Sequence, residues 1–305
     1  MSTFVKIALM VIGIKSIVMD ILVLWENVLT MTTKLNLTIG ADPEFFLKKD
    51  GKNVSAHGIV SGTKRNPSPM GSGFVQLDGT AVEFNIAPAS DADGFSGGIQ
   101  SVLDSIRASI PGDYSFDFSP SVKYDRDYFD AVIPPDCKEL GCDPDYNAYE
   151  GGKVNPKPNP EGSTLRTGAG HLHLGWGTNF DPADSSHIWD CCYLVQNLDR
   201  FFGPFEELWD TDTDRRSLYG KPGAFRPKSY GVEYRVLSNA WLKYPKLWPW
   251  IFNSTKFVFD KTVAGEKILI PSYAHGDPFE LKSVLKYELN APESVYFPED
   301  VVVED

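Results

Sequence analysis

Four short stretches of this chain set acids, imidazoles or a guanidinium two residues apart: Asp42-Pro-Glu44-Phe, Glu83-Phe-Asn85-Ile, His171-Leu-His173-Leu and Glu233-Tyr-Arg235-Val. Side chains two apart on a strand leave the same face of a sheet. The alternate residues, Phe45, Phe84, Ile86, Leu172, Leu174, Tyr234 and Val236, are core material, so each stretch reads as a strand with one apolar and one reactive face. On a shared sheet the reactive face gathers carboxylates, two imidazoles and arginine. Clustered carboxylates repel one another, and a divalent cation is the ordinary remedy. Ligands rich in oxygen and poor in sulfur favour Mg²⁺ or Mn²⁺, and Mg²⁺ commonly bridges carboxylates to phosphate, so a nucleotide is the implied co-ligand. Each pair alone has a plainer reading, E-x-R as a cross-strand ion pair and H-x-H as a satisfied pair or a zinc site. The coincidence of four favours the metal and nucleotide.

Complementary positive charge comes from Arg215 to Lys228, where Arg215, Arg216, Lys221, Arg226 and Lys228 are interleaved with Gly220 and Gly223. A basic run is normally a solvated loop, but this one leads directly into the Glu233/Arg235 strand, where its cations can neutralise phosphate. The spacing of a Walker A loop is absent, as are a G-x-S-x-G elbow and a cysteine in a nucleophile-like motif.

The elements that must position these residues alternate between period two and period 3.6, which predicts an α+β fold and no helical bundle or repeat. Strands are expected over 35–47, 74–86, 114–118, 168–176 and 231–237, and helices over 91–109, 184–209 and much of 240–264, with Pro245 and Pro249 disturbing the first turns of the last. The Pro-, Gly-, Asn- and Asp-rich stretch 134–167 predicts a long loop within one domain spanning 31–290, and 291–305 an acidic tail that frays towards its end. Residues 1–30 read as an apolar extension. Ile7, Met10, Val11, Ile14, Val18 and Ile21 share a helical face, Lys6, Lys15 and Asp20 oppose a membrane span, and Met31 offers an alternative start.

Composition narrows the partners. With 29 Lys and Arg against 41 Asp and Glu, the net charge is −12, which argues against bulk nucleic-acid binding. Four cysteines at 137, 142, 191 and 192 form no disulfide framework and imply a reducing compartment, the cytoplasm, or the host's cytoplasm for a phage-encoded chain. Cys191 and Cys192 fall at helical spacing among apolar residues and read as core.

In these motifs the chain resembles the glutamine synthetase and glutamate-cysteine ligase superfamily, and more closely its phage-type carboxylate-amine ligase (amidoligase) branch. The matching stretches are Ile39-Gly-Ala-Asp-Pro-Glu-Phe-Phe, Leu77-Asp-Gly-Thr-Ala-Val-Glu-Phe-Asn, Thr167-Gly-Ala-Gly-His-Leu-His-Leu-Gly, Tyr219-Gly-Lys-Pro-Gly-Ala-Phe-Arg and Gly231-Val-Glu-Tyr-Arg-Val-Leu-Ser, spanning residues 39 to 238. The resemblance implies a glutamine-synthetase-like catalytic domain, a curved antiparallel sheet forming a funnel with helices on its outer face, that holds ATP and two or more Mg²⁺ or Mn²⁺ ions. It implies activation of a carboxylate as an acyl phosphate and attack by an amine, with small-molecule or peptide acids and amines as substrates. Position by position, it makes Asp42, Glu44, Glu83, His171 and Glu233 metal ligands and turns His173 towards substrate or phosphate. It sets Arg235 on the ATP phosphates, and Arg226, Arg216 and Lys221 on phosphate or acyl phosphate. Asp42 stands where the wider superfamily often has Glu, and Asn85 where a further acid is expected.

Asp78 and Asp214 are candidates for the acid that takes the amine's proton, and Cys137, Cys142 and Tyr146 of the long loop for a specificity element. Three other readings compete: a phosphotransferase acting on an acid or guanidino group, a binding or virion-associated protein without turnover, and a metal-dependent hydrolase using His171 and His173.

Overall fold

The computed structural model describes residues 35–138, 145–156, 162–299 and 301. The expected extension over 1–30, and Cys142, lie outside the described residues. In chain order the first unit is β1 (Thr38–Ala41), β2 (Glu44–Lys49), β3 (Lys52–Val54), β4 (Ser68–Met70), β5 (Gly73–Asp78), β6 (Ala81–Ile86) and helix α1 (Ala92–Ser109). The middle of the chain holds β7 (Tyr114–Asp117), β8 (Ser121–Lys123), the short helices α2 (Arg126–Ala131) and α3 (Pro135–Lys138), then β9 (Tyr146–Asn147), β10 (Lys153–Val154), β11 (Leu165–Thr167) and β12 (Leu172–Gly175). The last part is α4 (Ser185–Phe202), α5 (Thr213–Leu218), β13 (Ala224–Lys228), β14 (Gly231–Tyr234), α6 (Leu247–Val263) and α7 (Pro278–Tyr287).

The result is a mixed α+β arrangement of antiparallel sheets and helices. One sheet runs β1-β12-β14-β13-β9-β10, and a second runs β3-β2-β6-β5-β4 with β7 also on β2. The strand expected over 35–47 is therefore two strands in different sheets. Pro43 has no N–H with which to continue a ladder, and the chain steps across there. Backbone bonds pin the step: Asp42 N–H donates to His171 O, Glu44 N–H to Ala169 O, and Phe84 N–H to Pro43 O. The stretch expected as one strand over 74–86 is the β5–β6 hairpin, turned at Asp78-Gly79-Thr80-Ala81, where Gly79 has φ +54°, a left-handed value that glycine adopts freely.

Alternation makes the two faces. On the first sheet Ile39, Leu172, Leu174, Val232, Tyr234 and Phe225 are buried in the main core, and on the second Phe45, Val75, Val82 and Phe84 join them. Helix α1 covers the second sheet with Phe95, Ile99, Val102, Leu103 and Ile106, and Asp91 caps it by accepting the Gly94 N–H. Helix α4 covers the first sheet and buries Cys191 and Cys192 in its packed stripe, as their spacing implied. It ends at Phe202 instead of reaching 209, because Pro204 cannot continue the ladder and the chain tightens into a 3₁₀ turn, Gly203–Leu208. Helix α6 packs on both α1 and α4; it starts after Pro245 and holds Pro249 in its first turn, where no intrahelical donor is needed.

The stretch 134–167 is more ordered than a plain loop. Its β9 and β10 extend the first sheet and its β11 pairs with β8. Cys137 is buried with Phe46, Val122, Tyr124, Phe129 and Ile133 in a second, smaller core, and Tyr146 packs against Phe225, so these two act in packing and not as the expected specificity element. Part of the expected acidic tail is core as well. Val295, Phe297 and Val301 are buried, and the Trp250 indole N–H donates to Val295 O. Among the described residues no helix is long and apolar enough to cross a membrane.

Candidate metal and phosphate site

Register brings the four motifs together. Gly40 faces His173, His173 faces Glu233 and Glu233 faces Arg226, one row across four strands of the first sheet. Two residues along, Thr38, Gly175, Gly231 and Lys228 form the next row of that face. On the second sheet Glu44 faces Glu83, and Glu83 faces Gln76. The Asp42–Glu44 step joins these rows, so the polar faces of both sheets meet there.

Two triads of ligand atoms result, Asp42/His173/Glu233 and Glu44/Asp78/Glu83, the atoms of each lying within 4.8 Å of one another. A cleft of about 850 Å³ is lined by Asp42, His173, Gln76, Glu83 and Asn85, with Trp176 and Tyr230 on its wall. In the first triad His173 Nε2 is 3.0 Å from Asp42 Oδ2, and its Nδ1 is 2.5 Å from the Tyr230 hydroxyl. Burial opposes charge on Asp42, but the imidazoles of His173 and His171 overcome it and hold the carboxyl well below its usual range. Burial likewise works against protonated His173, and the Asp42 carboxylate raises it.

The second triad has the opposite character. Burial, then the charges of Asp78 and Glu83, push Glu44 well above the usual carboxylate range. Burial, then Asp42 and Asp78, push Glu83 up to about 8. Lys64 Nζ, 2.8 Å from Asp78, offsets part of this repulsion. Glu83 Oε2 is buried without a hydrogen-bond partner, and Asp42 Oδ1 has the His171 Nδ1 at 3.4 Å. An orphaned oxygen and mutually repelling carboxylates are what a bound divalent cation satisfies, so the donor sets fit Mg²⁺ or Mn²⁺.

Cations surround Glu233. Arg235 bonds it directly, Lys228 Nζ is 2.6 Å from Oε2, and Arg226 Nη1 is 3.7 Å from Oε1. Arg235 also donates to the Tyr219 hydroxyl and lies 3.8 Å from Asp145 of the long loop. The same hydroxyl lies 3.1 Å from His171 Nε2. Burial, and Arg235 beside it, lower His171 to about 3, so the ring is neutral. Its Nδ1 faces the Asp42 and Glu233 carboxylates at 3.4 and 3.7 Å, groups that accept from an N–H there. His173 supplies the imidazole nitrogen of the triad, and His171, expected as the metal ligand, faces two of the same carboxylates through its Nδ1.

The remaining expected residues divide. Arg216 pairs with Glu206 and Asp210, away from both triads. Lys221 is exposed in the turn before β13, and Asp214 is exposed in the first turn of α5. Arg215 is fully buried and donates to Gly168 O, Val236 O and Leu237 O, a structural clamp between the approach to β12 and the exit of β14. Sequence reasoning placed Lys228 among the phosphate-neutralising cations, missed the roles of Tyr219 and Tyr230, and took Asp78 as a proton acceptor only. The Gln76-Leu-Asp78 alternation followed by the Asp78-Gly79 turn was the available signal for placing Asp78 opposite the Glu83 strand.

No protein-family model and no curated protein matches the sequence. Among solved structures, the bifunctional glutathione synthetase from Pasteurella multocida is similar with a TM-score of 0.47 and 12% identity, over 92% of this chain and 48% of that one. The chain thus spans about half the length of that protein. A likeness of this degree assigns neither family nor activity.

Proposed function

We propose that the protein is an ATP- and divalent-cation-dependent carboxylate-amine ligase that forms an amide bond through an acyl phosphate, on a glutamine-synthetase-like catalytic funnel spanning residues 31–290. The observation that carries this reading is a pair of ligand triads that reach one cleft through Asp42, His173 and Glu83, with Arg226, Lys228 and Arg235 around Glu233. Phosphoryl transfer asks little covalent chemistry of a protein and much charge neutralisation and positioning. Asp42, His173 and Glu233, and Glu44, Asp78 and Glu83, would hold divalent cations, which would neutralise phosphate oxygens.

The chain's own residues do the rest. Arg226 and Lys228 turn from Glu233 to the phosphates of ATP, and Arg235, held by Tyr219 and Asp145, keeps Glu233 in place. His171 fixes the Asp42 carboxylate, as an outer hydrogen-bonding group fixes a ligand. The Trp176 and Tyr230 wall excludes water from the acid while its carboxylate is activated. Small-molecule or peptide acids and amines fit a cleft of this volume.

The test is calorimetric titration of Mg²⁺ with a non-hydrolysable ATP analogue on the wild-type chain and on Glu44→Gln and Glu233→Gln, one variant for each triad. The reading expects Mg²⁺-dependent binding by wild type and its loss in both variants. Undiminished binding in both would remove the triads from the site. Acid-dependent ADP release that needs no amine would make the protein a phosphotransferase, and hydrolysis without ATP would make it a metal-dependent hydrolase. Binding without any turnover would leave a nucleotide-binding protein.

A further inference from the structure

The alternation that sends Glu233 and Arg235 to the cleft sends Tyr234 and Val236 to the other side of the first sheet, where they line a separate cavity of about 380 Å³. Asp199 of α4, Tyr149 and Tyr234 form its polar wall, and Ile268, Leu269 and Ile270 lie on its apolar one. The Asp199 carboxylate accepts only neutral donors there: the Tyr234 hydroxyl at 2.7 Å on Oδ1, the Gly223 N–H at 2.6 Å on Oδ2, and the Tyr149 hydroxyl. Neither nearby arginine pairs with it: Arg200, on the same lining, donates to the neutral amides of Asn197 and Gln196, and Arg216 pairs with Glu206 and Asp210. Burial accordingly raises Asp199 to about 7 in spite of its donors.

A half-buried carboxylate without a countercharge, at the end of a cavity, favours a cationic guest. The second carboxylate of the lining, Glu206, already holds Arg216, which leaves Asp199 as the lining carboxylate outside an ion pair. The apolar wall asks for hydrocarbon: Leu269 is 60% exposed and Tyr149 50% exposed, and both can be covered by a guest. The tyrosine rings add faces suited to an ammonium. We propose that this cavity binds a primary alkylammonium ion, its charged end on the Asp199 carboxylate and its chain along Leu269 and Ile270. The site lies behind the sheet that carries the triads and does not depend on the ligase reading.

Calorimetry with methyl-, ethyl- and n-butylammonium chloride on the full chain, at a pH of about 8, above the Asp199 value, tests it. Wild type should bind one equivalent, up to about fourfold tighter for each methylene buried. Asp199→Asn should weaken n-butylammonium by about tenfold or more, the loss of one charge-assisted hydrogen bond. Glu83→Gln, in the front cleft, should bind it as wild type does. Leu269→Ala, at an exposed side chain, should fold normally and flatten the dependence on chain length. The proposal is overturned if folded wild type shows no saturable binding, or if Glu83→Gln loses binding while Asp199→Asn keeps it, which would place the amine among the triads. Should Asp199→Asn fail to fold, the Leu269→Ala series decides, and an unchanged chain-length dependence overturns the proposal.

Discussion

Glu83 shows how a single side chain reports the chemistry of its surroundings. Its neighbours Asp42 and Asp78, together with burial, raise it to about 8, so the folded chain holds a proton that the unfolded chain releases near the ordinary carboxylate value. For an acid raised in this way, stability is greatest below the unfolded value and is lost as pH rises through the folded one. In a chelator, the melting temperature of wild type should therefore fall between about pH 5 and 8 through this group. Glu83→Gln should flatten that slope and raise the melting temperature at pH 8 by about 2–4 °C, and Mg²⁺ should stabilise wild type but not the variant. Thermal melts with and without Mg²⁺ check both statements; a variant with the wild-type slope would separate Glu83 from the repulsion. At this scale much was legible from spacing alone: Asp42, Glu44, Glu83 and Glu233 all reach a triad. The entry of His173 into a triad was not, because it rests on the register that sets His173 opposite Glu233.

At the scale of elements, the junction of the two sheets is held by groups that contribute no chemistry of their own. Gly170 lies between the Ala169 carbonyl, which receives the Glu44 N–H, and His171; a Cβ there would stand 2.1 Å from Ser238 O and 2.3 Å from Trp241 Nε1. Arg215 clamps the same region through three carbonyls. Arg215→Met should remove these bonds while keeping apolar bulk, leaving buried carbonyls unpaired at a loss of roughly 3–5 kcal/mol. Urea denaturation followed by tryptophan fluorescence measures it, and a loss below about 1 kcal/mol would deny the clamp. Arg215→Lys should recover little, since one ammonium cannot match the three-way fork. From sequence, Arg215 and Arg216 looked alike as phosphate contacts. Helix α5 directs them apart, one into the core and the other to Glu206.

At the scale of the whole molecule, the main core draws residues from Ile39 to Val301. The C-terminal stretch belongs to it despite an acidic, proline-spaced composition. Phe297 stacks on Trp209 at 5.9 Å between ring centroids and meets Trp250 edge-on at 5.3 Å. A chain truncated after residue 290 should lose the burial of Val295 and Phe297, roughly 3–6 kcal/mol. Differential scanning calorimetry should show a markedly lower, broader transition; an unaltered transition would mean that the segment only covers a core already complete.

Local pattern was enough for the kind of fold, for the helix over 92–109 and for which side chains carry reactive groups, because period and residue type are properties of neighbouring positions. The division of Asp42 and Glu44 between two triads, the core role of Cys137 and Tyr146, and the separation of Arg215 and Arg216 from the phosphate side came from the tertiary structure alone. Each of these depends on which distant strand or helix lies opposite. Register and packing between segments far apart in the chain decide that, and no local pattern encodes it.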